Sequence, residues 1–472
     1  MSSQIVRLFG LVVLLFALLI GFTSRWTVFE ASSLDNNPLN ARTLIDQLRI
    51  KRGRIIADSG EVLARSVPGP AGTWGRFYPT GSLFSQPVGY SIAKQGRAAG
   101  LELSRGNALR GLQTGLSSIF GQVSSHRVGD DVYTTLDPKA TRVALGQLGG
   151  QAGSVVALNP QTGAVKVMVA LPGYDDNNPP PKGPGSSLNR STQGRYPPGS
   201  TFKVVTATAA IDSGQYTPNS TVNGKSPITV SGVPLSNDNN QTFGTIDLTT
   251  ALTFSVNTVW AQVADHVGRG TMTKYMKRFG FYSIPPLDYP SGEMTSSRPF
   301  SNRGRAFPPG SRNEDIGRIG IGQGGLLVTP IQMAMVAAAV ANHGTLMKPR
   351  LTNKIVDQDG RTVETIQPSV YNQVMKPSTA QALTQMMKKV VDEGTGTAAQ
   401  LGGISVAGKT GTAQIGAQGS GLTQPWFIGF APVDNPKVAI AVTIERSQGG
   451  FGGTVAAPIA RTVIQTLLSE GQ

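Results

Sequence analysis

The sequence predicts a mixed α/β fold, and three observations carry that prediction. Apolar runs of strand length lie early in the region after residue 150, at 154–158 and 165–171, and again near the end, at 404–408, 426–431 and 438–444. Between them, apolar residues recur with helical spacing at 201–211, 251–267, 330–341 and 379–391, and a closing helix is expected over 456–468. Glycine and proline, 58 and 31 of 472 residues, separate these segments with turns. Sheet-forming ends thus enclose a helical middle.

Taken from the N-terminus, the first element is an uncharged stretch at 8–24, just long enough to cross a thin bilayer as a helix. Arg7 and the terminal amine favour a cytoplasmic start, while Arg25 on the other flank reduces the asymmetry. A cleaved signal peptide is the alternative. Its first candidate site, Phe29-Glu30-Ala31, has a bulky residue where a small one is wanted, so an uncleaved anchor is expected. From 36 to 128 the chain is turn-rich, with short alternations such as Arg54-Ile55-Ile56-Ala57 before the turn Asp58-Ser59-Gly60, which reads as a small β-rich module. A strand at 132–136 leads to Asp137-Pro138, a helix start, and the helix 139–148 stops at Gly149-Gly150. The runs 154–158 and 165–171 flank Asn159-Pro160-Gln161-Thr162-Gly163, a hairpin turn that would open the main domain. The expected division is residues 1–7 in the cytoplasm, 8–24 in the membrane, 25–150 an accessory module and 151–472 the main domain.

Composition narrows the chemistry. With no cysteine, disulfides and thiolate nucleophiles are excluded. Three histidines, His126, His266 and His343, are scattered without metal-ligand spacing, so neither a metal centre nor a Ser-His-Asp mechanism is expected. A net charge of +15 attracts something anionic: nucleic acid, anionic lipid or an acidic wall polymer. No basic run or aromatic RNA-binding signature accompanies it, and a chain outside the membrane meets no nucleic acid.

One segment carries a nucleophile. In Tyr196-Pro197-Pro198-Gly199-Ser200-Thr201-Phe202-Lys203 a serine opens the helical pattern and a lysine follows three residues later on the same face. Burial and the positive end of a helix both disfavour an ammonium, so Lys203 can take the Ser200 hydroxyl proton. The free amide at the helix start can hold an oxyanion. Ser200 would equally suit a helix N-cap, and Ser91-Ile92-Ala93-Lys94 repeats the spacing without the Pro-Pro-Gly turn. Partners decide. Ser255-Val256-Asn257 interrupts an apolar pattern with two polar side chains, a hydroxyl that can relay a proton and an amide that can hold Lys203 and a substrate carbonyl. Ser187-Leu188-Asn189 and Ser311-Arg312-Asn313 share that spacing in loop-like stretches. Lys409-Thr410-Gly411-Thr412 ends the run 404–408 and is read as lying on a strand. It offers a cation and two hydroxyls for a carboxylate, an amide at Thr412 as second oxyanion donor, and a glycine that lets a substrate backbone approach.

In this order Ser-x-x-Lys, Ser-x-Asn and Lys-Thr-Gly resemble the active site of penicillin-binding proteins and serine β-lactamases. Asn189-Arg190-Ser191-Thr192-Gln193-Gly194, Gly320-Ile321-Gly322-Gln323-Gly324, Thr329-Pro330-Ile331-Gln332-Met333-Ala334 and Trp426-Phe427-Ile428-Gly429-Phe430-Ala431-Pro432 are similar to class B penicillin-binding proteins. So are Arg52-Gly53-Arg54-Ile55, Arg76-Phe77-Tyr78-Pro79 and Gly100-Leu101-Glu102 in the short module, although Asp58-Ser59-Gly60 replaces the usual Arg-Asn before the glycine. The compact module and the Ser200 segment are similar to the penicillin-binding protein A group of actinobacteria.

The resemblance implies an antiparallel sheet flanked by helices with an all-helical subdomain, behind a β-rich pedestal module and a transmembrane helix. It implies a D,D-transpeptidase that cross-links peptidoglycan stem peptides in septal wall synthesis and division, is acylated by β-lactams, and needs no cofactor. Ser200 would be the nucleophile, Lys203 the base and Ser255 the relay. Asn257 and Lys409 would position substrate, and Thr410 and Thr412 would hold the terminal carboxylate. Implied partners are stem peptides, β-lactams, the plasma membrane, a separate glycosyltransferase and other division or elongation proteins. Rival readings are a D,D-carboxypeptidase, a β-lactamase, disfavoured because no Glu-x-x-Leu-Asn follows Ser255, and a β-lactam sensor or division scaffold without chemistry.

Overall fold

The computed structural model describes residues 3–25, 47–112, 128–181, 187–417 and 420–469. In chain order the elements that matter are helix α1 (Ser3–Ser24), strands β1 (Ile55–Ile56), β2 (Val62–Pro68), β3 (Trp74–Phe77) and β4 (Asp131–Thr134), helix α2 (Pro138–Leu148), and strands β5 (Gly153–Leu158) and β6 (Val165–Leu171). Helices α3 (Lys203–Asp212), α4 (Leu248–Thr253), α5 (Asn257–Arg278) and α6 (Pro330–Ala341) form the middle. Strands β7 (Thr352–Val356) and β8 (Thr362–Thr365), helix α7 (Pro377–Asp392), strands β9 (Ala407–Gln414), β10 (Leu422–Ala431) and β11 (Val438–Ile444), and helix α8 (Ala457–Ser469) follow.

α1 is the single helix among the described residues that is long and apolar enough to cross a membrane. It starts upstream of the uncharged stretch because nothing between Ser3 and Arg7 breaks a helix. The candidate cleavage segment Phe29-Glu30-Ala31 and His126 lie outside the described residues.

Two sheets organise the rest. The first has the order β8–β7–β4–β1–β2–β3, with β1 and β4 parallel and the other neighbours antiparallel. Its outer pair β7 and β8 comes from residues 352–365, far along the chain. Beside it the three module segments singled out in the sequence meet. Glu102, fully buried, receives Arg52 Nη2 at 2.6 Å and Arg76 Nε at 2.5 Å. Burial alone would push this carboxyl up, but the two guanidiniums more than offset that and leave its pKa lowered.

The second sheet, β9–β10–β11–β5–β6, is antiparallel throughout, so its centre joins an early hairpin to the last strands. Alternation along β5 sends Val155 and Ala157 to the face packed with Ala144, Val463 and Ile464 of α2 and α8. Val156 and Leu158 face the larger core that holds Phe202, Trp260 and Ile331. α6 is buried along its whole length, which explains why it is apolar all round. Caps mark the starts read from sequence: Ala140 N donates to Asp137 Oδ1 at 2.8 Å at the head of α2, and Gly149 closes that helix at φ 57°.

Two expectations need correction. The helix read over 251–267 is two helices, α4 and α5, because Ser255 adopts φ 59°, a left-handed conformation that no helix interior accommodates. The strand read over 404–408 begins at Ala407 and runs to Gln414, so Lys409, Thr410, Gly411 and Thr412, read as lying on a strand, do so in the body of β9 and not at the end of an earlier run. Its register pairs Lys409 with Ile428 and Gly411 with Trp426.

Candidate active site

Ser200 sits in a short 3-10 turn, Gly199–Phe202, that feeds directly into α3. Its hydroxyl does not cap the helix. Two glycines allow the turn. Gly199 is at φ 51°, and Gly322 approaches so closely that a Cβ there would lie 1.9 Å from the Gly199 carbonyl oxygen. Gly199 N donates to Gly322 O at 3.2 Å. Trp426 Nε1 on β10 donates to Pro197 O at 3.0 Å and ties the turn to the sheet.

Lys203, on the first residue of α3, is fully buried. Its Nζ lies 2.9 Å from Ser200 Oγ, 2.7 Å from Ser255 O, 3.1 Å from Ser255 Oγ and 2.6 Å from Asn257 Oδ1. The left-handed turn at Ser255 presents both the carbonyl and the hydroxyl of that residue to the amine. Two of the four partners, Ser255 O and Asn257 Oδ1, can only accept. A neutral amine has two N–H groups, which these satisfy, and one lone pair, which is left for a hydroxyl proton. Burial, and then repulsion from Lys409, hold the Lys203 pKa well below the usual lysine range, with Asp238 pulling weakly the other way. The neighbourhood therefore leaves Lys203 able to accept a proton from Ser200.

Asn257 is braced by its Nδ2, which donates to Ser236 O at 3.2 Å. Lys409 is also fully buried, its Nζ donating to Thr410 O at 3.0 Å, and burial brings its pKa down to about 7. Thr412 Oγ1 accepts from Gly452 N at 3.1 Å, which leaves its proton to donate, and Thr410 Oγ1 meets Thr395 Oγ1 at 2.5 Å. β9 is an edge strand, so alternate backbone groups face away from β10. Its Thr412 backbone packs against the nucleophile turn, since a Cβ on Gly199 would come within 3.1 Å of it.

Gly411 has a different reason to be glycine from the one read in sequence. A Cβ there would meet Pro198 O at 2.7 Å and Thr201 Cγ2 at 2.9 Å, so it lets β9 lie against the nucleophile turn. All eight residues singled out in sequence, Ser200, Lys203, Ser255, Asn257, Lys409, Thr410, Gly411 and Thr412, converge on this one region. Sequence reasoning missed Ser236, Thr395 and Gly322, which carry no motif of their own. Gly322 alone had a signal, in the glycine-rich segment 320–324.

The look-alikes stay apart. Ser91 and Lys94 lie on a strand and a separate 3-10 turn. Asn189 is buried against Tyr289, its Nδ2 donating to the phenol oxygen at 3.2 Å, and Ser311 caps its own turn through Asn313 N at 3.3 Å. His266 stacks edge-on with Tyr216, and His343 occupies a turn at φ 52°. A cavity of about 1520 Å³ opens over Ser200, bordered by Ser255 and Asn257 on one side and Thr410 and Thr412 on the other.

Comparison with known proteins agrees with this geometry. The family model of the penicillin-binding protein transpeptidase domain matches residues 153–465, and that of the penicillin-binding protein A dimerisation domain matches 52–131. The peptidoglycan D,D-transpeptidase PbpA of Mycolicibacterium smegmatis is 31% identical over 516 residues, covering 100% of each chain. Its namesake in Mycobacterium tuberculosis strain H37Rv is also 31% identical, covering 99% of each. Among solved structures, penicillin-binding protein A from M. tuberculosis as a penicillin G acyl-enzyme complex superposes with a TM-score of 0.76 at 29% identity, over 89% of this chain and 99% of that one. The D,D-transpeptidase domain of a peptidoglycan glycosyltransferase from Eggerthella lenta gives 0.77 at 29%, over 90% and 99%.

Proposed function

The chain belongs to the penicillin-binding protein transpeptidase family, and on that premise we propose that it cross-links peptidoglycan as a serine D,D-transpeptidase. Ser200 Oγ attacks the carbonyl carbon of the penultimate D-Ala of a stem peptide while its proton passes to Lys203 Nζ. The backbone amides of Ser200 and Thr412 hold the oxyanion. Collapse breaks the C–N bond, the proton reaches the departing nitrogen by way of Ser255 Oγ, and free D-Ala leaves an ester on Ser200. An amine of a second stem then attacks that ester, Lys203 takes its proton, the C–O bond breaks and Ser200 recovers its hydrogen. Asn257 orients Lys203 and the substrate amide, and Lys409, Thr410 and Thr412 hold the terminal carboxylate.

The observation that carries this reading is the contact of one buried amine with Ser200, Ser255 and Asn257 together. A cavity of about 1520 Å³ exceeds the roughly 300–1,000 Å³ of a site for a single small ligand and leaves room for an acceptor chain beside the donor. β-Lactams would acylate the same oxygen; penicillin-binding protein A from M. tuberculosis forms an acyl-enzyme with penicillin G. A place in septal wall synthesis beside a separate glycosyltransferase belongs to the same proposal and rests on the resemblance read in the sequence. α1 would anchor the chain once in the plasma membrane, with residues 1–7 in the cytoplasm, and residues 25–150 would raise the catalytic domain, 151–472, outside it. Labelling with a fluorescent penicillin followed by peptide mapping tests the assignment. Modification at Ser200 is the expected result, and covalent uptake elsewhere, or none by folded protein, overturns it.

A further inference from the structure

One charged side chain in the cleft has no part in these steps. The residues lining the cavity include a single acid, Asp238, and a single cation, Arg318. Arg318 is committed to its surroundings: its Nη2 donates to Val233 O and Pro234 O at 3.1 Å each, and its Nε lies 3.8 Å from Asp315. The Asp238 carboxylate is exposed to the cleft and has neither a hydrogen bond nor an ion pair among the described residues.

The loop that carries it is held from below. Asn237 is buried, its Nδ2 donating to Gly224 O at 3.2 Å and Gln241 O at 2.9 Å while its Oδ1 accepts from Thr258 N at 2.9 Å. Ser236 O is held by Asn257 Nδ2. Beyond it, Asn239 and Asn240 take φ 51° and 54°, a conformation asparagine tolerates better than most residues. Asp238 is therefore fixed relative to Asn257, and through it to Lys203. Its field reaches both buried lysines, which it alone among nearby acids favours in their charged forms.

An unpaired carboxylate on a braced loop at the wall of the cleft attracts cations and repels anions. The donor stem ends in a carboxylate, so Asp238 does not suit it. The acceptor brings an amine, which in neutral water is mostly an ammonium. We propose that Asp238 recognises the ammonium of the acceptor strand and holds it in the cleft until it loses its proton and attacks the acyl-enzyme. This assignment rests on the transpeptidase reading given above.

The test is a competition on full-length protein. The acyl-enzyme is formed from a peptidyl thioester donor in the presence of two nucleophiles together, a peptide bearing an aliphatic amine and hydroxylamine, which is uncharged at neutral pH. The ratio of amide to hydroxamate product does not depend on how fast the acyl-enzyme forms. In Asp238→Asn that ratio is expected to fall about fivefold, the order of one partly exposed charge pair. The loss should lie in the KM of the amine, with the saturated rate retained, and Asp238→Glu should restore part of it. Added salt should raise the wild-type KM and leave that of Asp238→Asn flat. An unchanged ratio, or an equal loss of both products, overturns the role of Asp238 alone. A wild-type protein that forms no acyl-enzyme removes the transpeptidase reading and this inference with it.

Discussion

The carbonyl oxygen of Ser255 lies 2.7 Å from Lys203 Nζ, and it points there because Ser255 is in the left-handed region at φ 59°. The backbone of the second motif, as well as its side chain, therefore belongs to the environment of the first. This separates two effects that a single substitution would confuse.

Ser255→Gly keeps the backbone conformation at no steric cost and removes only the hydroxyl, whereas Ser255→Ala must keep a Cβ at positive φ. We predict that both variants lose most transfer to an amine, because the proton relay is gone. Thermal unfolding should rank them apart, Ser255→Gly being more stable than Ser255→Ala by about 1 kcal/mol.

Replacing Lys203 by alanine removes the proton acceptor and leaves Ser200 in place. Acylation by penicillin, followed by stopped-flow or gel labelling, should slow by about 10²–10⁴-fold, the usual contribution of a general base. Retention of the wild-type rate would mean that another group takes the Ser200 proton.

The two buried lysines need opposite protonation states, so free-enzyme acylation by a carboxylate-bearing β-lactam should be bell-shaped in pH. Lys203 acts when neutral, and its depressed pKa puts the rising limb well below the normal lysine range. Lys409 binds a carboxylate when charged, and burial brings its pKa to about 7, so the rate should fall as pH rises through that value. In Lys409→Arg the falling limb should vanish from the measurable range, because a guanidinium keeps its proton. The pH dependence of the second-order acylation constant measures this.

Gly322→Ala should be damaging although residue 322 touches no substrate. A Cβ there would lie 1.9 Å from the Gly199 oxygen, at a backbone φ of 78°. The nucleophile turn would have to shift, and a displacement of about 1 Å can cost 10²-fold in rate. Acylation kinetics with a circular dichroism control for folding would show whether the loss exceeds any change in stability.

Glu102→Gln leaves Arg52 and Arg76 buried without their counter-charge, which should cost about 3–5 kcal/mol. The wild-type ion network also sets an acid limit. Because the folded pKa of Glu102 lies below its ordinary value of 4.5, its stabilisation is present above that value and is lost as pH falls through the folded pKa. Denaturant unfolding at pH 7 and at a series of pH values below 4.5 checks both statements.

Much of this was legible in sequence because it depends on local signals. Asp137-Pro138 and Gly149 marked α2, the spacing of Ser200 and Lys203 put them on one helical turn, and two apolar runs around Asn159-Pro160-Gln161-Thr162-Gly163 drew the hairpin of β5 and β6. What sequence hid depends on contacts between distant segments. The bounds of β9 were misread because the apolar run that marked it stops at Gly408, while the strand continues through Lys409, Thr410 and Thr412. The break at Ser255 was invisible because apolar spacing continues across it, while the left-handed turn is closed by backbone bonds from Ser255 N to Leu252 O and Val256 N to Ala251 O and presents Ser255 O to Lys203. Thr395 and Ser236 have no pattern, since a single hydroxyl or carbonyl acts there through its position.

β7 and β8 leave the catalytic part of the chain to lie beside β4, and so close the outer side of a sheet that begins before residue 60. A fragment starting at residue 151 would keep this two-stranded ribbon but strip it of its neighbour, exposing an unpaired edge. A fragment ending at residue 150 would lack the flank that covers β4. A displacement of β4 would accordingly be felt at residues 352–356, which lie in sequence between α6 and α7.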